Sequence, residues 1–577
     1  MTPPMAVARL TVSPPALSPV APSNLSDEVE LYQRTYTTLL RSSGETRLRV
    51  LEPSHRAMGS SLHPLADSEE LDLGAFIYAI RRLPDAIVRT RIIVMGQEAL
   101  QFERAGVGPL ERWEAVEAAA RRRRWYDSGD EILAVLLASE SDVDDIIPTL
   151  VALQIEWNKI HRRAAAAGFE SSDDTTPEAC ASALGGSVDD WLSLAAAWGD
   201  GFSARMALIA DHTRSLRVRM LGGTQVGYQR MTRRWWAPIR DALAGKSLTD
   251  APLYFISSNS HSIANLVTGL AREREDELVA FVENGDDEGL REELDRFREG
   301  ATEGSWENFL YFVARDLFDA GGPELRRRRH EAELAAGVEH LRSRTALRVP
   351  AQVIPLARLE PGRLDPRLGA VDADKLARSA AVVVNVDYPL GLAAYNLLRE
   401  VAIDSGDLRG VYVLGKAATL NADVGDVMIS SVIHDENSGT TYWLDNAFTV
   451  NDIAPDLMFG TGLDNQRAVT VKSTFLQNRA YLDFYYREAF TVVEMEAGPF
   501  CNAVYEIADA DRYPVGEAVN FSKLPIDYGI IHYASDTPYT QARTLGARGL
   551  SYYGMDSTYA SSLAILRRVL RLEGALE

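Results

Sequence analysis

Beyond residue 378, short apolar runs rich in β-branched side chains alternate with helical stretches. The run Ala381–Val386 (AVVVNV) is typical of a strand that is buried on both faces in a parallel sheet. Further strands are predicted at 410–414, 427–433, 468–471, 490–493 and 529–533, and helices at 391–401, 501–508 and 558–572. This alternation predicts an α/β fold with a mainly parallel or mixed sheet flanked by helices. Such sheets carry their binding sites at the carboxyl ends of the strands.

The preceding stretch, residues 26–345, has the pattern of a mainly helical domain, with helical spacing of apolar residues in 146–164, for example. An α/β element interrupts it near 251–275, where an apolar run precedes a polar loop and a helix. We therefore expect the domain boundary near residue 345, so that residues 346–577 form the α/β domain. Residues 1–25 are predicted to be a disordered tail, and no motif in residues 26–345 indicates a family.

Charge and composition exclude several classes of partner. The net charge of −22 argues against long nucleic acid, because a phosphate backbone demands a basic surface. No apolar run reaches the roughly 18 residues of a membrane-spanning helix. Two cysteines, Cys180 and Cys501, fit a reducing cytoplasm better than secretion. The nine histidines show no spacing typical of a zinc site, so we expect neither metal nor cofactor.

Two turns that contain glycine follow predicted strands in the α/β domain. Val382–Leu398 places a turn with Asp387 between a strand and a helix, where backbone N–H groups at the helix start face an anion or a sugar. Val413–Asp426 places Gly415 and Lys416 in the turn after the next strand. Each turn, taken alone, is equally typical of an ordinary connection between a strand and a helix.

Two later motifs carry aromatic and acidic side chains. The first contains VKSTFL (471–476), with Phe475 and Leu476, and VEMEA (493–497), with Met495 and Glu496. The second is IIHYASD (530–536), with Ser535 and Asp536. An ionised carboxylate suits a diol, since it accepts hydrogen bonds from two hydroxyls. A carboxyl buried at a strand end has a raised pKa and can donate a proton. Both acidic groups also fit helix N-caps.

In this order, the four motifs resemble those of the purine nucleoside phosphorylase and nucleosidase superfamily, over residues 380–575. The resemblance implies that the chain cleaves the N-glycosidic bond of a purine nucleoside or nucleotide, a small-molecule partner. It also implies a homo-oligomer. By the same resemblance, the turns at Asp387 and Gly415 contact the substrate, and Phe475 with Leu476 packs on the nucleobase.

The remaining motif residues take catalytic and sugar-binding roles by the same resemblance. Glu496 would accept hydrogen bonds from the 2′ and 3′ hydroxyls of the ribose, and Met495 would pack beneath the sugar. Asp536, oriented by Ser535, would protonate N7 of the leaving purine while the sugar gains oxocarbenium character.

The second motif departs from the family pattern at the positions that hold phosphate. Val413 stands where an arginine is common and Lys416 where a serine is common, and Ala418 and Thr419 replace a pair of glycines. Hydrolysis is therefore favoured over phosphorolysis, with phosphate still a candidate partner through Lys416. Two alternatives remain open: a nucleoside-binding or nucleotide-binding sensor without turnover, and a biosynthetic nucleoside phosphorylase or transferase.

Overall fold

A computed structural model describes residues 26–42, 44–169, 175–508, 515–521, 524–538 and 552–577. The predicted disordered tail, residues 1–25, lies outside the described residues. Two mixed sheets and the helices around them make up the described chain, which confirms the α/β class. None of the described helices combines the length and apolar character that crossing a bilayer requires.

The first sheet has six strands, in the order β1-β6-β2-β5-β4-β3. Its strands are β1 (Thr46–Arg47), β2 (Ile92–Gly96), β3 (Glu114–Ala118), β4 (Arg121–Asp127), β5 (Ile132–Leu136) and β6 (Arg217–Met220). β2 lies parallel to both of its neighbours, as its continuous apolar sequence favours. β3 and β4 form an antiparallel hairpin at one edge.

Helices surround this sheet: α1 (Ser26–Ser42), α2 (Glu52–Ala57), α3 (Leu73–Arg81), α4 (Ala99–Arg104), α5 (Glu140–Ala167), α6 (Pro177–Leu184), α7 (Val188–Trp198), α8 (Phe202–Asp211) and α9 (Gln225–Ala244). The longest, α5, starts at a capping box on Ser139 and ends at Gly168 in the left-handed conformation. This stretch therefore contains more strands than the sequence predicts. Most of them are short, and β4 begins with four arginines in a row, so the apolar pattern of a strand is weak.

The second sheet has eleven strands, in the order β16-β13-β12-β14-β15-β11-β7-β10-β9-β8, with β17 paired to β11 and β12. They are β7 (Pro252–Ser258), β8 (Glu339–Leu341), β9 (Ala351–Pro355), β10 (Val382–Asp387), β11 (Asp407–Thr419), β12 (Val427–Asp435), β13 (Thr440–Leu444), β14 (Gly462–Thr470), β15 (Val492–Glu494), β16 (Ala518–Phe521) and β17 (Asp527–Asp536). β11, β15, β14, β12 and β17 pair in a closed circuit. The sheet is mixed, because β11 lies antiparallel to β15 and parallel to β17.

The helices of this second part are α10 (Ser262–Thr268), α11 (Leu270–Glu273), α12 (Glu275–Asn284), α13 (Glu288–Glu299), α14 (Trp306–Ala320), α15 (Gly322–Ala335), α16 (Ala373–Arg378), α17 (Ala393–Asp404), α18 (Val450–Ile453), α19 (Arg479–Arg487), α20 (Ala497–Ala508) and α21 (Tyr552–Leu572). α21 packs against α14 and α10.

The expected boundary near residue 345 does not coincide with the division between the sheets. β7 pairs in parallel with both β10 and β11, so residues 252–345 are part of the second sheet and its helices. Its apolar run is buried on both faces, as a central parallel strand requires. The sheets share one large apolar core, which contains Val94 of β2 and Val384 of β10. Their close packing places β4 against the second sheet.

Candidate functional site

β11 brings the later motifs side by side. Ala418 pairs with Val493 of β15 on one side and with Asp536 of β17 on the other. Adjacent strands lie about 4.8 Å apart, so the second, third and fourth motifs meet within three neighbouring strands. Residues more than a hundred positions apart in the chain thus share one region of the sheet.

A cavity of about 250 Å³ lies beside Glu496. The first motif contributes Tyr388, Leu390 and Ala393 to its wall, so the first and third motifs meet there. The other walls come from β4, from the start of α5 and from the segment between β8 and β9: Ala120, Arg121, Arg122, Arg123, Ala138, Ser139, Asp142, Ala346, Leu347, Arg348 and Val349. Both sheets therefore enclose the cavity.

The Glu496 carboxyl is partly exposed to this cavity, and its pKa is raised to about 8. Burial is the main cause, and the nearby Glu494 carboxyl adds to it, whereas Arg121 and the backbone N–H of Gly391 act in the opposite direction. A pKa of about 8 favours the protonated form of this group at neutral pH. Hydrogen-bond donors that approach a carboxyl group favour its ionised form.

Glu494 has a structural task at the start of α20. Its carboxylate accepts hydrogen bonds from the backbone N–H groups of Glu496 and Ala497, both at 2.6 Å, and from the Thr470 hydroxyl. Backbone N–H groups at a helix start favour a negative charge. Burial nevertheless raises the pKa of Glu494 to about 7. Of the two neighbouring glutamates, only Glu496 lines the cavity.

The turn of the first motif links the two sheets. Asp387 forms an ion pair with Arg122 of β4 at 2.8 Å, and the Arg122 guanidinium also donates to the backbone oxygens of Asp387 and Tyr388. Burial raises the pKa of Asp387, and Arg122 partly offsets this rise. The Asp387 carboxylate is therefore already paired with an arginine, which the sequence pattern does not place near it.

Gly391 in this turn has a φ of +53°, and a Cβ there would overlap the Ser141 side chain of α5. We therefore expect Gly391→Ala to lower the free energy of unfolding by roughly 1–3 kcal/mol, through backbone strain and steric overlap. Urea unfolding measures this. Gly362→Ala is the matched control, since its Cβ would meet open space without a left-handed backbone. Equal midpoints for the two variants would contradict the expected strain.

Asp536 ends β17 with its side chain buried, and residues 539–551 beyond it lie outside the described part of the chain. Ser535 donates a hydrogen bond to the Ala417 carbonyl oxygen at 3.1 Å. Neither residue is among those that line the cavity beside Glu496. Strand pairing brings Asp536 into the same region of the sheet, and its predicted role as proton donor stays a prediction.

The remaining predicted residues are dispersed. Phe475 is fully buried against Tyr78, His55 and His63, with ring centroids 5.2, 6.1 and 6.4 Å away. Its neighbour Leu476 is also buried. The structure does not bring this pair to the Glu496 cavity, because helices of the first part of the chain cover it.

The second motif and Met495 lie nearer to the paired strands. Gly415 lies opposite His532 on β17, and a Cβ there would touch the His532 ring at 2.8 Å. Lys416 is exposed, and Met495 is partly exposed next to Glu496. None of the three is among the residues that line the cavity.

Sequence reasoning missed the arginines of β4. Arg121 and Arg123 form ion pairs with Asp145, and Arg123 also pairs with Asp142, so α5 holds both guanidinium groups in the wall of the cavity. The four-arginine run at 121–124 is visible in the sequence. Nothing local indicates that it faces a glutamate more than 370 positions later.

One group in the described chain has side chains of the metal-ligating type. The ligand atoms of His330, Glu333 and His340 lie within 4.8 Å of one another. Glu333 already accepts a hydrogen bond from Arg329 at 2.7 Å, and its other carboxylate oxygen lies 2.7 Å from Nε2 of His340. This group lies on β8 and α15, away from Glu496 in the sequence.

Comparison with solved structures finds enzymes of nucleoside metabolism at low similarity. A methylthioadenosine phosphorylase from an Antarctic soil metagenomic library is 11% identical, over 34% of this chain and 72% of its own, with a TM-score of 0.25. A methylthioadenosine/S-adenosylhomocysteine nucleosidase from Colwellia psychrerythraea, solved with adenine, is 14% identical over 41% and 86%, with a TM-score of 0.26. A uridine phosphorylase from Schistosoma mansoni is 10% identical over 57% and 91%, with a TM-score of 0.30.

Similarities with TM-scores this low carry no weight for function. Among curated proteins, no sequence matches the chain. A family model, described as a family of unknown function (DUF6909), matches residues 48–571, which is most of the chain. The chain therefore belongs to the DUF6909 family.

Proposed function

We propose that the chain hydrolyses the N-glycosidic bond of a purine nucleoside or nucleotide. The observation that carries the proposal is the convergence of the four motifs. Asp536 and Val493 both pair with Ala418, and Glu496 shares a cavity with the turn that follows β10. The motifs also occur in the order that the resemblance requires, which supports the proposal.

In this proposal, the ionised Glu496 accepts hydrogen bonds from the ribose hydroxyls. One carboxylate serves two hydroxyls, and the cavity of about 250 Å³ suits a sugar with part of its substituents. Asp536 gives its proton to N7 of the purine as the bond between the sugar and the base breaks. Asp536 is buried at the end of β17, and burial in general disfavours the charged form of a carboxyl group.

Water is the proposed acceptor because the second motif provides few groups that could bind phosphate. Val413 is buried and apolar, and the exposed Lys416 is not among the residues that line the cavity. Released base is measured by chromatography after incubation with adenosine, guanosine and AMP, in phosphate-free buffer and with added phosphate. We expect free base without phosphate, together with ribose or ribose 5-phosphate. Release that requires phosphate would instead identify a phosphorylase.

A second candidate function is nucleoside or nucleotide binding without turnover. Two observations favour it: Asp536 is not among the residues lining the cavity, and Phe475 is buried elsewhere. Calorimetric binding of adenosine or AMP without any base release over long incubation would support a sensor and contradict hydrolysis.

A further inference from the structure

A second cavity, of about 520 Å³, adjoins the one beside Glu496, and Arg122 and Arg348 line both. It lies between the β3–β4 hairpin of the first sheet and the segment that joins β8 to β9 of the second. We call it the arginine cleft. Among its lining residues are four arginines (Arg122, Arg124, Arg342 and Arg348), His330 and His340, and one carboxylate, Glu117.

The strand geometry explains why arginines gather here. Along β4, side chains alternate between faces, so Arg122, Arg124 and Tyr126 share the face that lines the cleft. On the other face, Arg123 pairs with the acidic residues of α5. The chain as a whole carries a charge of −22, so a cleft with this excess of cations stands apart from its overall balance.

Two of the four arginines have carboxylate partners. Arg122 pairs with Asp387, and Arg348 pairs with Glu117 at 2.8 Å, where the Glu117 side chain is 72% exposed. An ion pair this exposed is worth little, because water and salt screen it. Arg348 is therefore largely free to bind another anion.

Arg124 and Arg342 pair with no carboxylate in the described residues. Arg124 is partly buried and donates to the Ser343 carbonyl oxygen at 3.1 Å. Its Nε atom is buried and finds no acceptor within the described residues. A buried donor on a cation without a counter-ion is costly, so this guanidinium is suited to an anionic ligand.

We propose that the arginine cleft binds a phosphate group next to the sugar held by Glu496, which makes the substrate a nucleoside 5′-phosphate. This inference rests on the proposed function. Planar guanidinium groups bind phosphate through paired hydrogen bonds. Because the two cavities adjoin at Arg122 and Arg348, a ribose in one places its phosphate at the entrance of the other.

Free phosphate is the other source of the same chemistry. The cleft would then hold phosphate as a separate ligand while a nucleoside lies beside Glu496. Competition distinguishes the two sources, since AMP displaces free phosphate in the first case, whereas phosphate and adenosine bind together in the second.

A divalent cation at His330, Glu333 and His340 fits this wall of the cleft less well. Arg329 already neutralises Glu333, and Arg124, Arg342 and Arg348 line the same cavity. The positive charges of these arginines disfavour a bound cation. Addition of EDTA tests this alternative, because binding through a metal would then be lost.

The test measures binding of AMP, adenosine and inorganic phosphate to the full chain by calorimetry. We expect AMP to bind more tightly than adenosine, and inorganic phosphate to compete with AMP. Arg124→Met and Arg342→Met should each weaken AMP and phosphate binding, by roughly 10- to 100-fold for Arg124→Met, as expected for hydrogen bonds to a charged group. The preference for AMP over adenosine should fall accordingly.

Arg47→Met is the matched control, because Arg47 is exposed on β1, at the opposite edge of the same sheet from the β3–β4 hairpin. Arg342 is exposed, so its replacement keeps the readout available if Arg124→Met fails to fold. Unchanged AMP and phosphate affinity in both variants, or loss of binding with EDTA, would overturn the arginine cleft. Inorganic phosphate binding that depends on these arginines would support it even if no base were released, so its failure is distinct from that of the proposed function.

Discussion

Replacing Asp536 with asparagine is expected to lower kcat for release of the purine base by roughly 100- to 10,000-fold, the usual contribution of a general acid. The amide keeps the size of the side chain but cannot give a proton to N7. Asp536 is buried at the end of β17, which pairs with β11, and burial restricts the access of water to this side chain. Initial rates with AMP or adenosine measure the loss.

Two controls separate proton donation from folding. Asp445→Asn changes an exposed aspartate and should leave kcat unchanged. A riboside with a nitrophenolate leaving group needs no proton, so Asp536→Asn should cleave it at nearly the rate of the unchanged protein. If the variant lost activity equally on both substrates, Asp536 would not act as the general acid.

Replacing Glu496 with glutamine is expected to lower kcat/KM by roughly 10- to 100-fold, because a charge-assisted hydrogen bond to the ribose is lost. The effect should depend on the sugar hydroxyl. In the unchanged protein, 2′-deoxyadenosine should react more slowly than adenosine, and Glu496→Gln should reduce this difference. Glu111→Gln, a change at an exposed glutamate, serves as the control.

The pKa of Glu496 adds a dependence on pH. Because burial raises this pKa to about 8, the free protein holds the carboxyl protonated below that pH. Ribose binding requires the carboxylate, so kcat/KM should increase with pH up to about 8 and then level off. The variant has no group to titrate there and should lack this rise. A rise that persists in Glu496→Gln would assign it to another group.

Several strands of the second sheet could be predicted, because a local apolar run marks each of them. The run at 381–386 becomes β10 (Val382–Asp387), shifted by one residue, since a continuous β-branched sequence suits only a buried parallel strand. The strand predicted at 529–533 lies within β17 (Asp527–Asp536). The acidic residues of VEMEA also indicate the helix start at Ala497, because acidic side chains cap such positions.

The rest depends on contacts between distant parts of the chain. β4 lacks the apolar alternation that predicts a strand, because arginines stand on both of its faces, towards the arginine cleft and towards α5. The burial of Phe475 follows from Tyr78 and the histidines of the first part of the chain, which no pattern around residue 475 indicates. The arginine wall of the site is likewise a product of packing between sheets.

A crystal structure of the protein soaked with AMP would show directly where the nucleotide binds. We expect the ribose hydroxyls within about 3 Å of the Glu496 carboxylate, the phosphate against Arg124 and Arg348, and N7 of the purine within hydrogen-bond reach of Asp536. A nucleotide bound elsewhere, or one whose base points away from Asp536 while the sugar avoids Glu496, would contradict it.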